Sequence, residues 1–257
     1  MIKTHRNGIN IWQFENLGSL KGIDHFVSDR VLADDSREFT LSFSSSPDRD
    51  EIRRNRSRLA GALDIPEDHL IFPSQVHKTR IVQVTHGISK QELMETDALI
   101  TNEKGLCLAV MSADCVPILI YDEMNGAVAA IHSGWRGTVA KILEKTLQAM
   151  YERYGTKGKD IIAGIGPSVC QDSYEVGEEV VESVRGSFKN ASELLVATSP
   201  GKAKLDLWKA NKAQLLDFGV GEDRIEISDL CTVKNNRYFF SARKGDTGRF
   251  AAGIMLR

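Results

Sequence analysis

The chain has 257 residues, 42% hydrophobic and 26% charged, with a formal net charge of −2. That length and apolar content suffice for a full hydrophobic core, and the balanced charge gives no general attraction to nucleic acid or to a membrane surface. No apolar stretch approaches the roughly 20 residues of a membrane span, Met1–Glu15 lacks the apolar centre of a signal peptide, and four scattered cysteines make no disulfide framework. A cytoplasmic protein with reduced thiols is expected.

In chain order, residues 9–14 and 39–43 read as strands. Ser46-Pro47-Asp48 offers a capping hydroxyl, a proline suited to the first helical position and an acid near the positive helix end, predicting a helix to about Leu63. Ile52, Leu59 and Leu63 form its inner face, while Arg53, Arg54, Arg56 and Arg58 lie outside. A basic face is ordinarily just solvated. Arg56, nearest the apolar stripe, is the candidate for an anion. Leu70–Pro73 leads through Ser74-Gln75-Val76-His77 into an alternating strand, Arg80–Val84, and residues 97–101 and 105–111 read as a strand pair joined at Asn102–Gly105.

The Asp-Glu-Met-Asn-Gly turn at 122–126 separates two further apolar runs too short for helices. After them, Gly134-Trp135-Arg136-Gly137 opens a helical pattern of Val139, Ile142, Leu143, Leu147, Met150 and Tyr154, ending at Gly155. Ile161–Ile165 reads as a buried strand. Helices follow around 175–187 and 206–218, the second capped by Asp206, with strands at Arg224–Ser228, Arg237–Ser241 and Ala251–Leu256. Strands and helices mix without strict alternation, which predicts an α/β (α+β) layered sandwich, a mixed sheet flanked by helices, in a single domain spanning 1–257.

Cys115 and His132 fall at strand ends, where loops build sites on a rigid sheet. Of six histidines, only His77 and His132 stand beside strands in Gly/Pro/Ser-marked loops; His5, His25, His69 and His86 lie in polar surroundings and are expected to be exposed. Alone, either His77 or His132 reads more readily as a satisfied structural histidine. Two imidazoles and a thiolate, however, form a common zinc set. The three positions are distant in sequence and match no compact zinc-finger spacing, so spacing leaves the metal reading weak.

Several motifs point to a family. Ser74-Gln75-Val76-His77, Ser112-Ala113-Asp114-Cys115, His132-Ser133-Gly134-Trp135-Arg136-Gly137, Gly166-Pro167 with Tyr174-Glu175-Val176-Gly177, and Cys231-Thr232 with Phe239-Phe240-Ser241 and Thr247-Gly248-Arg249 run in that order. From about residue 52 onward the chain resembles the family labelled polyphenol oxidase or laccase-domain proteins. That family includes the bacterial YlmD and YfiH proteins, read as zinc-dependent purine nucleoside phosphorylases with adenosine deaminase activity. The resemblance implies that His77, Cys115 and His132 bind zinc, and that the partners are purine nucleosides and phosphate. Neither nucleic acid nor membrane is expected as a partner, and the expected assembly is a monomer or weak homo-oligomer. Lys78, Ser168-Val169-Cys170, Ala242 and Lys244 depart from the usual pattern and leave the three ligands themselves unchanged; they bear on which nucleoside is preferred.

Three chemistries compete. A copper oxidase wants many imidazoles, and six histidines with no His-x-His pair serve it poorly. A cysteine hydrolase would use Cys115 as nucleophile, His132 or His77 as base and Asp114 as orienter, leaving the second histidine without a task. A non-enzymatic protein would hold zinc structurally. Three protein ligands instead leave an open fourth position, as catalytic zinc requires. Asp114 is then either the proton shuttle for deamination or only an anchor of its loop. The candidate substrate contacts are Arg56, Gln75, Arg136, Tyr174 and Arg243, with Arg249 and Phe240 as weaker ones. Arg136 and the loop Gly134–Gly137 are expected beside the zinc, binding phosphate at a helix N-terminus. Cys107 reads as strand packing, and Cys170 and Cys231 have no evident partner.

Overall fold

The computed structural model describes residues 1–33, 37–44 and 48–257. Two six-stranded sheets stack face to face. The first runs Ile2–Arg6, Ile9–Gln13, Ile23–Leu32, Phe250–Leu256, Cys107–Ser112 and Leu70–Ile71. The second runs Ile225–Ile227, Ile161–Ile165, Val116–Asp122, Ala127–Ser133, Ala98–Thr101 and Ile81–Gln83. Strand residues alternate between faces, so Leu108, Val110, Ala252 and Ile254 meet Leu99, Leu119, Val128 and Ala130 in the inter-sheet core. The opposite face of the first sheet packs Cys107, Ala109 and Met255 against Leu59, Ala60 and Leu63 at the helix Arg49–Ala62. The opposite face of the second packs Ile118, Ile120 and Ile131 against Leu143, Leu147 and Met150 of the helix Ile142–Tyr154. The layered α/β expectation holds, as helix, sheet, sheet, helices.

Several elements differ from their sequence patterns. The proposed pair 97–101 and 105–111 is no hairpin: Ala98–Thr101 lies in the second sheet and Cys107–Ser112 in the first. Both segments are covered on each face, so neither shows the alternation that would have revealed the crossing. Residues 39–43 form no strand; Phe39 N–H donates to Arg30 O and Leu41 N–H to Arg249 O. Arg237–Ser241 is a turn whose Phe239 and Phe240 are nonetheless buried. The helix after Gly134 breaks into Trp135–Val139 and Ile142–Tyr154 at Lys141, where φ is 61°. Ile2–Arg6, Ile23–Leu32 and the hairpin Leu195–Ser199 with Lys202–Leu205 are strands without an anticipated signal.

Ser46 and Pro47 lie outside the described residues; Asp48 caps Arg49–Ala62, accepting from Asp50 and Glu51 N–H at 3.0 Å each. Asp206 caps Leu207–Asp217 through Lys209 N–H. His25 is buried, contrary to expectation, because its Nε2 accepts the Phe14 N–H at 2.8 Å. Among the described residues no helix is long and apolar enough to cross a membrane.

Candidate active site

Two crossovers from the first sheet to the second meet at one edge of the sandwich. Ala113-Asp114-Cys115 joins Cys107–Ser112 to Val116–Asp122, and Phe72 to Arg80 joins Leu70–Ile71 to Ile81–Gln83. The end of Ala127–Ser133 lies beside the first through the pair Val116–Ser133 and beside the second through the rings of His132 and His77. Turning a chain between stacked sheets in so few residues needs unusual backbone: Asp114 has φ 88° and His77 φ 61°. The result brings one ligand atom each of His77, Cys115 and His132 within 4.8 Å of one another. The two imidazole rings stand nearly perpendicular, their centroids 4.8 Å apart.

Asp97 organises this group. Its Oδ1 accepts His77 N–H at 2.9 Å and His132 Nδ1–H at 2.8 Å, while Oδ2 accepts Lys78 N–H at 2.8 Å and Val76 N–H at 3.2 Å. Burial raises the pKa of this carboxyl, but the hydrogen bonds from His132, Lys78 and Val76 outweigh it and hold it below the usual carboxylate range. With Nδ1 committed, the Nε2 of His132 is free to ligate. Burial likewise raises the Cys115 thiol, yet the His132 and His77 rings overcome it and pull the pKa below its ordinary value. His132 moves the opposite way, since Cys115 and Asp97 outweigh its burial. A thiolate is the form a metal binds. Gly134 packs directly against this group: a Cβ there would meet Cys115 Sγ at 2.8 Å and His77 Cδ2 at 3.2 Å.

His77, Cys115 and His132 line a cavity of about 940 Å³, large enough for a nucleotide-sized ligand. The Arg56 guanidinium enters it between the Phe43 and Phe72 rings, at 4.5 and 4.3 Å from their centroids. Its Nε donates to Leu41 O at 2.9 Å, and burial pulls its pKa down to about 10, so it stays cationic at neutral pH. Among the described residues no carboxylate pairs with it. Tyr174 is buried against the cavity with the Arg243 guanidinium 4.8 Å above its ring, and burial pushes its hydroxyl up to about 12.

Other expected contacts are already engaged within the protein. Gln75 pairs with Met111, its Nε2 donating to Met111 O at 2.8 Å and its Oε1 accepting Met111 N–H at 2.7 Å. Asp114 accepts the Thr232 hydroxyl on Oδ1 and Arg243 N–H on Oδ2 at 2.8 Å. Arg249 lines the cavity but donates to Thr247 and Gly248 carbonyls. Phe240 is core, lying under Arg30. Arg136 is not in the cavity wall: it is exposed and folds over Trp135, 4.3 Å from the ring centroid, at the start of a helix of only five residues.

Residues 27–257 match the family described as Multi-copper polyphenol oxidoreductase laccase. The chain belongs to that family. A Bacteroides thetaiotaomicron protein named Purine nucleoside phosphorylase is 40% identical over 258 residues, covering 95% of each chain. Adenosine deaminase RL5, from an unknown prokaryotic organism, is 35% identical over 249 residues, covering 92% of this chain and 95% of its own. The crystal structure of YlmD from Geobacillus stearothermophilus matches with a TM-score of 0.87 at 30% identity, over 99% of this chain and 98% of that one. YfiH from Bacillus licheniformis matches with a TM-score of 0.87 at 25% identity, over 98% and 97%. Like these relatives, the present laccase-domain protein is an enzyme.

Asp97, which orders both histidines of this laccase-domain chain, is not among the residues that the sequence motifs single out. An acid immediately before the apolar run Ala98-Leu99-Ile100 is the available signal. Such an acid must be paired to be buried there. Cys107 packs in the core, where burial drives its thiol far up, whereas Cys170 and Cys231 do have a partner: each other.

Proposed function

We propose that the protein is a cytoplasmic, zinc-dependent purine nucleoside phosphorylase that cleaves adenosine and inosine with phosphate and also deaminates adenosine. The observation that carries this is the joining of a two-imidazole, one-thiolate group to a cavity holding an arginine that no carboxylate pairs with among the described residues. The names of the Bacteroides thetaiotaomicron and RL5 relatives support the two activities. His77, Cys115 and His132 would hold the zinc, a donor set that suits it and leaves a position for substrate or water. When bound, the metal supplies Lewis-acid polarisation and a lowered pKa for water.

The chain's own residues supply the remainder. Phosphorolysis requires a held phosphate dianion whose oxygen attacks ribose C1′ as the bond to the purine breaks. Arg56, fixed by two rings and the Leu41 carbonyl, is the anchor for that dianion. Tyr174 and Arg243 form one wall against the nucleoside. Asp114 holds the Cys115 loop to Thr232 and Arg243, a positioning task. Gln75 likewise ties the His77 loop to Met111. Multiple copper ions suit the protein less, because among the described residues this is the one His/Cys/Asp/Glu group tight enough for a metal.

A second reading is favoured by one observation: Cys115, His132 and Asp97 also line up as nucleophile, base and orienter. The test is phosphate-dependent release of adenine from adenosine by protein purified without added metal, alongside its metal content. Zinc near one equivalent with phosphate-dependent release is expected. Zinc-loaded protein that neither cleaves nor deaminates nucleosides overturns the proposal, and a hydrolase independent of zinc would favour the cysteine nucleophile.

A further inference from the structure

Away from the metal ligands, two cysteines distant in sequence stand together. Cys170 follows the Gly166-Pro167 turn after Ile161–Ile165, and Cys231 follows Ile225–Ile227; a parallel bridge between Ser168 and Cys231 ties the two segments. Cys170 N–H donates to Cys231 Sγ at 3.3 Å, and the Ser173 hydroxyl lies 3.5 Å from Cys170 Sγ and 3.7 Å from Cys231 Sγ. Both thiols are free and largely buried, yet both line a cavity of about 360 Å³ shared with the exposed Asp172 and Lys234. A small reagent therefore has a path to them. Burial raises the Cys231 thiol, but the Cys170 thiol and N–H, Lys234 N–H and the Ser173 hydroxyl outweigh it and favour the thiolate.

The residues beside the pair brace the active-site loop. Val169, beside Cys170, donates its N–H to Asp114 O at 3.0 Å, and Thr232, beside Cys231, donates its hydroxyl to Asp114 Oδ1. We propose that Cys170 and Cys231 are a redox-active dithiol that hydrogen peroxide closes to an intramolecular disulfide, loosening the Asp114 anchorage and lowering turnover. The Cys231 thiolate attacks a peroxide oxygen, the O–O bond breaks, and a sulfenic acid and water result once the leaving oxygen is protonated. The Cys170 sulfur then displaces hydroxide from the Cys231 sulfur, forming S–S, and the Cys170 proton leaves with that hydroxide as a second water. Two electrons pass from the sulfurs to the peroxide. A reducing thiol reverses the closure.

The turnover consequence rests on the nucleoside-processing reading; the covalent step does not. The experiment treats metal-retaining, full-length protein with hydrogen peroxide, then alkylates free thiols and maps peptides by mass spectrometry, with adenosine turnover measured in parallel. The expected result is a linked pair of peptides carrying Cys170 and Cys231, a several-fold fall in turnover, and recovery of both with dithiothreitol. Cys170→Ser should start with unchanged turnover, form no linked pair and keep its turnover under the same treatment. Cys231→Ala serves the same purpose should Cys170→Ser not fold. Separately alkylated Cys170 and Cys231 after oxidation overturn the proposal. So do a linked pair with unchanged turnover, and a Cys170→Ser protein that loses turnover as readily as the parent.

Discussion

Asp97→Asn should disable the site while changing the shape of almost nothing. The carboxylate receives two donors on each oxygen: His77 N–H and His132 Nδ1–H on one, Val76 N–H and Lys78 N–H on the other. An amide has one carbonyl oxygen, so whichever way it sits, its NH₂ faces two N–H donors that can no longer be satisfied. Hydrogen bonds to a charged group contribute roughly 1.5–3 kcal/mol each, so losing two costs about 3 kcal/mol or more in a buried setting. Part of that loss is recovered where Lys78, at the surface, turns to water. The remainder falls on the ordering of His77 and His132. Loss of such a support under a metal ligand typically weakens metal binding about 10–100-fold, which is about 1.4–2.7 kcal/mol. Competition with a zinc-binding dye measures the affinity, and circular dichroism confirms that the sandwich persists. Unchanged zinc affinity together with unchanged adenosine turnover in Asp97→Asn would refute the idea that this carboxylate orders the ligands.

Further outcomes follow from the same geometry. Cys115→Ser should lose zinc and both nucleoside activities while keeping its fold, whereas Cys107→Ser should keep zinc and activity; zinc content, turnover and melting separate the two, and a Cys115→Ser protein with normal zinc but no activity would favour the nucleophile. Arg56→Ala should raise the KM for phosphate by about 10–100-fold, the scale of a charge-assisted contact of about 1.5–3 kcal/mol, while Arg136→Ala, whose side chain lies on Trp135 outside the cavity, should leave it unchanged. His25 is neutral in the fold because burial lowers its pKa from 6.5 to about 4. The unfolded chain therefore binds the extra proton between those values, and stability is complete above pH 6.5 and declines as pH falls toward 4. Its share of that loss between pH 7 and pH 5 is about 2 kcal/mol; His25→Gln, with an acceptor left for Phe14 N–H, should flatten this part of the melting-temperature profile.

How much of this was legible beforehand depended on whether the cause was local. The helix cap at Asp206, the turn at 122–126 and the apolar run Ile161–Ile165 are set by neighbours within a few residues, and each lies where its pattern placed it, whereas Asp48, expected as an acid inside the first turn, is itself the N-cap of Arg49–Ala62. The long strand Ile23–Leu32 was missed because it is buried on both faces yet carries His25, Ser28 and Asp29, whose polar groups are satisfied by partners far along the chain. The division of residues 98–101 and 107–112 between two sheets was hidden for the reverse reason: uniform burial erases the period of two.

The same distinction governs the site. His77, Cys115 and His132 could be singled out because each ends an apolar run in a loop of small and polar residues, but nothing local says that the three loops converge. Convergence is a product of the two sheet-to-sheet crossovers, and its signature is the positive φ of His77 and Asp114, invisible in a residue pattern because neither is glycine. Arg136 shows the opposite error. A basic residue at a glycine-flanked helix start satisfies a general rule for anions, yet the adjacent Trp135 offers a cation–π surface and the guanidinium lies there instead. Arg56, one of four arginines on a face that reads as solvated, is drawn inward by Phe43 and Phe72 from two other segments. Aromatic partners therefore decide where these two guanidinium groups lie. Replacing those partners tests this directly: in Phe72→Ala the Arg56 side chain loses one wall of its slot, and phosphate affinity should fall although the charge itself is retained.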